Sequence, residues 1–310
     1  MSTMNDRSTP PRPQTGRRVR RIATAAALAC LAFATGALAQ DEKSVLIDGS
    51  QWFDFYGEDS TALPQEEGFR PYNIAFERLN SVGGSDNPNY AFELGGVQIE
   101  SAGQDSWVAG PFTETELQVY LNSTIKWTGR LIDIEKVNQQ GILSSSPVYF
   151  VVLADNTGSN AKSWTWKIGM TLDEIYTYSD ELDLRVIDIE ILDFDLYAAI
   201  FIANTGADRR DVVFGVEASQ EDVAILADWG GDDDYKLVHI GYEGNSTGTG
   251  RVSWNYILER TTDIEFSVPV FDVTESQLNS LAAAEGLRIS MIDYNRHTGL
   301  YAAILVEQLP

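Results

Sequence analysis

The hydrophobic pattern of this chain repeats one succession of signals. It is clearest from Arg185 to Asp222, where an alternating run, a turn, an apolar run, a polar turn and a third short run precede a Ser-x-x-Asp helix start. The same succession begins, in whole or in part, near residues 70, 130, 185, 236 and 288. Starts that recur roughly every fifty residues indicate an array of like units.

Each run predicts a particular kind of strand. Ile187, Ile189 and Ile191 alternate with acidic residues, which indicates a strand with one apolar face and one solvated, largely acidic face. The run at 196–203 is apolar on both faces and is typical of a strand that is covered on both sides. The run at 163–169 places its large apolar side chains on one face only. The chain is therefore predicted to be mainly β.

Short helices are predicted after each third run. A Ser or Thr stands three residues before a polar residue that can bond back to it: Thr113 and Glu116, Thr171 and Glu174, Thr274 and Gln277, and Ser219 and Asp222. Three of these pairs fit the reciprocal capping box, and the Asp222 pair is a shortened relative of it.

The array predicts a closed ring. We expect five propeller-like units, each of three antiparallel strands and a short helix. The last start, at 288–310, supplies only two strands, whereas 44–68 supplies a third strand and a weak helix. The two fragments are expected to pair and complete a fifth unit, because closure removes the exposed edges of an open array.

The first 39 residues form a separate segment. A basic stretch at 17–21, an Ala/Leu-rich run and Ala37-Leu38-Ala39 predict a secretory signal cleaved near Ala39, which leaves 40–310 as one secreted or periplasmic repeat domain. The single cysteine, Cys30, lies inside this segment, so no disulfide is expected in the mature chain. Twin-arginine export, suggested by Arg17-Arg18, stays open beside ordinary secretion.

The repeat resembles the bacterial tandem-repeat domain. The resemblance rests on Arg-x-x-Asp-Ile starts at 130–134 and 185–189, on Tyr-Ala-Ala at 197–199 and 301–303, and on the Ser-Trp third run with its capped helix. In that family such repeats often stand beside a β-lactamase-like serine hydrolase domain, as in polyglycine hydrolases. The resemblance implies a propeller-like unit. It departs at Asn73, His239 and Met291, which replace the Asp, and no room remains for a hydrolase domain.

The net charge of the chain disfavours two classes of binding partner. The chain has a net charge of −24, and removal of the 6 basic and 1 acidic residues of 1–39 leaves 16 basic and 45 acidic residues, a net charge of −29. Such a surface repels nucleic acid and anionic lipid headgroups, so neither is expected as a partner. No His/Cys cluster predicts a metal site, and no cofactor is expected.

Hydrolase motifs are incomplete in this chain. Ser123 and Ser159 each stand three residues before a Lys, and 85–87 reads Ser-Asp-Asn, but the order is wrong for a penicillin-recognising enzyme. The run at 244–248 spells a nucleophile elbow without the helix that must follow it. The two histidines, His239 and His297, are expected to be structural, and no catalytic residue is assigned.

Six repeated charged residues are the candidate binding site. Arg70, Arg130, Arg185, Arg288, Asp133 and Asp188 hold equivalent places in their units. They form either an ion-pair lattice between units, which we favour, or a ligand site at one pole of the ring.

The sequence therefore predicts a non-catalytic binding domain. Its ligand would be a protein, peptide or glycan, and an envelope peptide or glycan is the first expectation. Two alternatives stay open: a hydrolase that uses a carboxylate pair such as Asp133 and Glu135 in a ring cleft, and a structural component of an envelope assembly.

Overall fold

A computed structural model of the chain describes residues 44–47, 52–54, 69–82, 89–100, 105–125, 128–137, 147–193, 195–206, 209–232, 234–244, 252–262, 264–295 and 298–308. The predicted signal segment 1–39 lies outside these residues. The described part is mainly β, with short helices, as expected.

The strands fall into five antiparallel sheets. Sheet one contains β1 (Ser44–Ile47), β2 (Trp52–Asp54), β3 (Phe69–Val82) and β4 (Asn89–Glu100); sheet two contains β5 (Ser106–Phe112), β6 (Gly129–Val137) and β7 (Val148–Asp155); sheet three contains β8 (Trp164–Met170), β9 (Leu184–Asp193) and β10 (Leu196–Ala203); sheet four contains β11 (Val212–Ala218), β12 (Tyr235–Gly244) and β13 (Ser253–Arg260); sheet five contains β14 (Ile264–Val273), β15 (Arg288–Asn295) and β16 (Leu300–Gln308).

One strand order recurs in every sheet. The apolar strand lies in the middle, as in sheet three, where β10 separates β8 from β9. In sheet one the short β1 and β2 lie end to end along one edge of β4, and β3 pairs with the other edge. Each sheet is therefore three strands wide.

The expected pairing of the N- and C-terminal segments is wrong. Both edges of β16 are occupied, by β14 and β15, so the described strands of 44–68, β1 and β2, do not pair with it. The N-terminal strands pair with β4 instead. The reason is a consistent offset between the predicted units and the sheets. The third run of each predicted unit pairs with the middle strand of the following unit. Each sheet therefore contains the third run of one unit and the first two runs of the next, and a helix connects them.

Four α-helices are described, and each joins the outer strand of a sheet to the strand on its other edge. They are α1 (Glu114–Tyr120, continued by a π-helical turn at Leu121–Ile125), α2 (Leu172–Leu182), α3 (Gln220–Asp232) and α4 (Glu275–Glu285). The reciprocal capping boxes at Thr113, Thr171 and Thr274 are present as predicted. Ser219 and Asp222 also exchange hydrogen bonds.

The strands β3, β6, β9, β12 and β15, here called the interface strands, carry the contacts between sheets. Along the chain each interface strand contacts the next, and β15 contacts β3. At one equivalent position each contains an extra residue relative to its middle strand, a β-bulge. These extra residues are Tyr72, Ile132, Ile187, Val238 and Ser290, and β3, β9 and β12 contain a second irregularity elsewhere along the strand.

The apolar core is divided among the joints between sheets. Five clusters of buried side chains are found, and each one spans two sheets. The cluster that contains Ala75 and Val97 of sheet one also contains Ile289, Ala303 and Leu305 of sheet five. Small residues of the middle strands, such as Ala198 and Ala199, are fully buried and allow close approach. A sheet therefore buries its faces mainly against its two neighbours.

The prediction of a solvated acidic face on the interface strands is wrong. Asp188 is 2% exposed and Glu190 is 8% exposed, and Asp133 and Glu135 are each 5% exposed. These side chains are buried because their strands face neighbouring sheets. The predicted burial of the middle strand is confirmed, since its residues from Tyr197 to Ile202 are all buried.

Among the described residues, no helix has the length and apolar character needed to cross a membrane.

The capping boxes provide a test of local stability. We expect Thr171→Ala to lower the free energy of unfolding by about 1 kcal/mol, because it leaves the backbone N–H of Glu174 without its cap. Thr171→Ser keeps the hydroxyl and should change stability by less than half as much. Urea denaturation of both variants measures the difference, and equal losses would show that the hydroxyl is not the stabilising group.

Candidate functional site

The residue that follows each bulge reaches toward the neighbouring sheet. These residues are Asn73, Asp133, Asp188, His239 and Met291. The bulge changes the direction of the side chain, so the seam residue meets the backbone of the preceding interface strand, and Asn73 of the first interface strand meets that of the last. We call this set the polar seam.

Between sheets one and two, Asp133 accepts two hydrogen bonds. The backbone N–H of Ile74 donates to its Oδ2 at 2.8 Å, and the side-chain amide of Asn73 donates to its Oδ1 at 3.1 Å. Both carboxyl oxygens of a buried side chain are therefore used to hold the adjacent sheet. Such bonds are stabilising because an unpaired buried N–H is costly.

Between sheets two and three, the same interaction recurs with Asp188. The backbone N–H of Ile134 donates to its Oδ2 at 3.0 Å. Two residues further along, the N–H of Lys136 donates to Oε1 of Glu190 at 3.1 Å. The two acidic residues of this strand thus satisfy consecutive N–H groups on one edge of β6.

Between sheets three and four, a histidine occupies the seam. Nδ1 of His239 lies 3.2 Å from Oδ1 of Asp188. Its Nε2 lies 3.3 Å from the carbonyl oxygen of Ile189 and 2.8 Å from Oδ1 of Asn255, which belongs to the middle strand of sheet four. The ring therefore joins two sheets through both of its nitrogens.

The remaining two joints continue the pattern. Between sheets four and five, the N–H of Ile240 donates to Sδ of Met291 at 3.4 Å, and the N–H of Tyr242 donates to Oδ2 of Asp293. Sheet five reaches sheet one through the N–H of Ile292, which donates to Oδ1 of Asn73 at 2.9 Å. That last bond joins residues separated by 219 positions in the chain.

Burial determines the protonation of the seam. It raises the pKa of Asp133 to about 7, although the bonds from Ile74 and Asn73 act in the opposite direction. Burial and then the charge of Asp133 raise the pKa of Asp188 well above its usual range. Burial lowers the pKa of His239 to about 4, against its bonds to Asn255 and Ile189. Both shifts disfavour the charged forms of Asp188 and His239.

The basic residues predicted to form a circle lie at one register position. Arg130, Arg185 and Arg288 open their interface strands and are half-buried, and Arg70 opens β3 with its side chain outside the described part of the structure. Nη1 of Arg185 lies 2.6 Å from Oε1 of Glu259 in sheet four, without the alignment of a hydrogen bond. This contact is an ion pair between sheets three and four.

A small groove opens between sheets two and three. Its volume is about 250 Å³, and Pro147, Ile168 and Leu196 form an apolar wall. Glu114 and Tyr149 contribute polar atoms, beside Lys136 of the interface strand. Burial and then the charges of Glu114 and Glu190 raise the pKa of Tyr149 to about 12. The groove therefore combines an aliphatic surface with the acidic Glu114 and the basic Lys136, and the charge of Glu190 acts on its Tyr149.

The serine motifs do not come together in the described residues. Ser123 lies in the π-helical turn after α1 and donates its hydroxyl to the carbonyl of Tyr120. Ser159 is exposed in a short 3₁₀ turn. The runs at 85–87 and 245–248, and His297, lie outside the described residues.

Within the described part of the chain, no group of three or more His, Cys, Asp or Glu side chains is placed to hold a metal ion. In the polar seam both carboxyl oxygens of Asp133 and Oδ2 of Asp188 accept hydrogen bonds from protein donors.

Comparison with known proteins yields no relative: no family model, no curated protein and no solved structure matches this chain.

Several residues of the seam and the groove were not singled out from the sequence. Asn255 lies in an apolar middle strand, and nothing in its local pattern marks it as the partner of His239. Asp293 was visible as the acidic residue two positions after Met291, so alignment of the five starts could have indicated it. The groove residues come from two sheets and share no sequence signal.

The ion pair of Arg185 tests the structural interpretation of the basic residues. The side chains of Arg185 and Glu259 are only 11% and 17% exposed. We expect Arg185→Gln to lower the free energy of unfolding by about 1–2 kcal/mol, because Glu259 loses its closest cation.

Arg260→Gln is the matched control. Arg260 pairs with Asp211 at 3.6 Å, and their side chains are 53% and 62% exposed, so solvent screens the contact. We expect a loss of less than about 0.5 kcal/mol. Denaturant melts of the two variants give the comparison, and an Arg185→Gln protein as stable as the parent would contradict the inter-sheet role.

Proposed function

We propose that the chain is a secreted, non-catalytic binding domain whose five sheets form a closed, propeller-like ring. The observation that carries the closed ring is the bond from the N–H of Ile292 to Oδ1 of Asn73, since it joins the last interface strand to the first. The apolar cluster shared by sheets five and one supports the same arrangement.

Closure has a clear physical advantage for this chain. An interface strand is the edge of its sheet, and an exposed edge offers unpaired N–H groups to other chains. At four of the five described joints an N–H group of the interface strand is met by a side chain of the next sheet, as with Ile74 and Asp133. A ring gives every sheet such a neighbour, so no edge of this kind is left over.

Hydrogen exchange at Ile292 tests closure. In a closed ring the Ile292 amide is protected from exchange in the parent protein. Asn73→Leu removes the acceptor at similar side-chain volume, and we expect it to accelerate exchange of the Ile292 amide by at least about tenfold. The Ile134 amide, bonded to Asp188 at a different joint, is the internal reference and should keep its rate. In an open array the Ile292 amide would exchange rapidly before the substitution and would not respond to it.

The seam favours binding over catalysis as the role of the domain. Asp133 and Asp188 have the raised pKa values that a general acid needs, which is the feature that favours the hydrolase alternative. However, the carboxyl groups are 5% and 2% exposed, and they accept backbone N–H donors of neighbouring sheets. These contacts support a structural role and leave ligand contacts to the outer surface.

The groove between sheets two and three is the proposed ligand site. At about 250 Å³ it lies below the usual range of cofactor pockets and suits a single side chain. Its aliphatic wall matches the alkyl stem of a lysine or arginine. The carboxylates of Glu114, in the lining, and of Glu190, which acts on Tyr149, outnumber the lining cation Lys136 and favour a cationic tip. We therefore propose a peptide with an exposed basic side chain as the ligand.

A peptide array tests the site. Residues 40–310 would be applied to immobilised decapeptides and, separately, to bacterial envelope oligosaccharides. We expect retention on peptides rich in Lys or Arg, weakened by 0.5 M salt. Leu196→Trp, which fills the groove, should lower the affinity at least about tenfold.

Val213→Trp is the control, because Val213 is similarly exposed at 43% on sheet four and does not line the groove. An equal loss with this variant would remove the groove as the site. Retention on oligosaccharides alone would replace the peptide with a glycan, and cleavage of a retained ligand would favour the hydrolase alternative.

A further inference from the structure

The proton on Nε2 of His239 is determined by its surroundings. The carbonyl oxygen of Ile189, at 3.3 Å, can only accept a hydrogen bond, and Oδ1 of Asn255 lies at 2.8 Å on the same side. Nε2 must therefore carry hydrogen. In a neutral ring with this tautomer, Nδ1 is a lone-pair acceptor.

A second proton is then required between His239 and Asp188. Nδ1 faces Oδ1 of Asp188 at 3.2 Å, and two lone pairs at that distance would repel. The other oxygen of Asp188 already accepts the N–H of Ile134, so the second proton lies on the line between Oδ1 and Nδ1. The pair holds two protons and has no net charge wherever the second proton resides.

The electrostatic surroundings place that proton on the carboxyl group. Charges from three neighbours act on Asp188 and disfavour a negative charge there: Asp133 and Glu135 of β6, and Asp293 of β15. Burial at 2% and 4% exposure disfavours a separated ion pair in the same way. We propose that Asp188 is a protonated acid at neutral pH and donates to Nδ1 of His239, which makes the joint between sheets three and four a proton-dependent lock.

The lock predicts how stability depends on pH. In an unfolded chain Asp titrates near about 3.9 and His near about 6.5. Between these values the unfolded pair holds two protons, both on the imidazolium, and the folded pair also holds two, so stability does not change. Above pH 6.5 the unfolded pair keeps one proton and the folded pair keeps two. Stability is therefore lost as the pH rises above about 6.5.

Asp133 acts in the same direction. Its pKa is raised to about 7 in the folded protein, so it contributes stability at acidic pH that is lost between about pH 4 and pH 7. The repulsion among the many surface carboxylates also grows with pH. A fall in melting temperature from pH 5 to pH 8 is therefore expected, and a substitution is needed to isolate the part that belongs to Asp188.

Asp188→Asn is that substitution. The asparagine amide donates to Nδ1 of His239 and its oxygen accepts from Ile134, so it reproduces the protonated acid. We expect the variant to melt at or above the parent's temperature at pH 5 and at least about 3 °C above it at pH 8, because only the parent must protonate Asp188 on folding and that cost grows with pH. An ion pair predicts the opposite, because the asparagine would leave a buried imidazolium unpaired and lower the melting temperature at both pH values. That result would overturn the proposal.

Two further measurements complete the test. Asp180→Asn removes an exposed helix carboxylate and should leave the difference between pH 5 and pH 8 unchanged. Nitrogen-15 NMR reads the imidazole directly and does not depend on stability: the chain has only two histidines, and His297→Gln assigns the second signal. The neutral Nε2–H tautomer at pH 7 is expected for His239, and imidazolium shifts would refute the proposal.

Discussion

The structure depends on buried side chains that meet backbone N–H groups across the joints between sheets. A three-stranded sheet has two edges, and the edge formed by the interface strand is buried where it meets its neighbours. Its N–H groups cannot donate to water there and need another hydrogen-bond acceptor. The carboxylate of Asp133 bonded to Ile74 is the simplest solution, and Asp188 bonded to Ile134 repeats it. Asp133 and Asp188 therefore act as hydrogen-bond acceptors that join adjacent sheets.

This constraint also orders the rest of the fold. The bulge before each seam residue turns its side chain toward the adjacent sheet that precedes it, and apolar clusters fill the joints between the sheets. Side chains of different chemistry perform the role: carboxylate, amide, thioether and imidazole. The joint made by His239 differs most, because the ring donates to the carbonyl of Ile189 where the other joints accept an N–H. It is thus the joint whose strength depends on a proton held between two side chains.

Much of the local structure was predictable. The alternating run at 184–193, the apolar run at 196–203 and the capped helix after Thr171 follow from periodicity and capping chemistry within a few residues. The pairing of the strands was not predictable to the same degree. The third run follows the first two runs of its predicted unit in the sequence, yet β8 pairs with β10 of the following unit. Nothing within the strand specifies that partner. The groove between sheets two and three could not be predicted from the sequence for the same reason.

The sequence by itself determined the kinds of elements, their order and the positions where charged residues recur, because those properties depend on neighbours within one turn or one strand. Only the tertiary structure decided that the acidic face is buried. Alternation shows that Asp188 and Glu190 share a face of β9, but the donors that satisfy them lie 54 residues away on β6, beyond any local pattern. Burial in the joint then changes a carboxylate from a solvated charge into a hydrogen-bonding link between sheets.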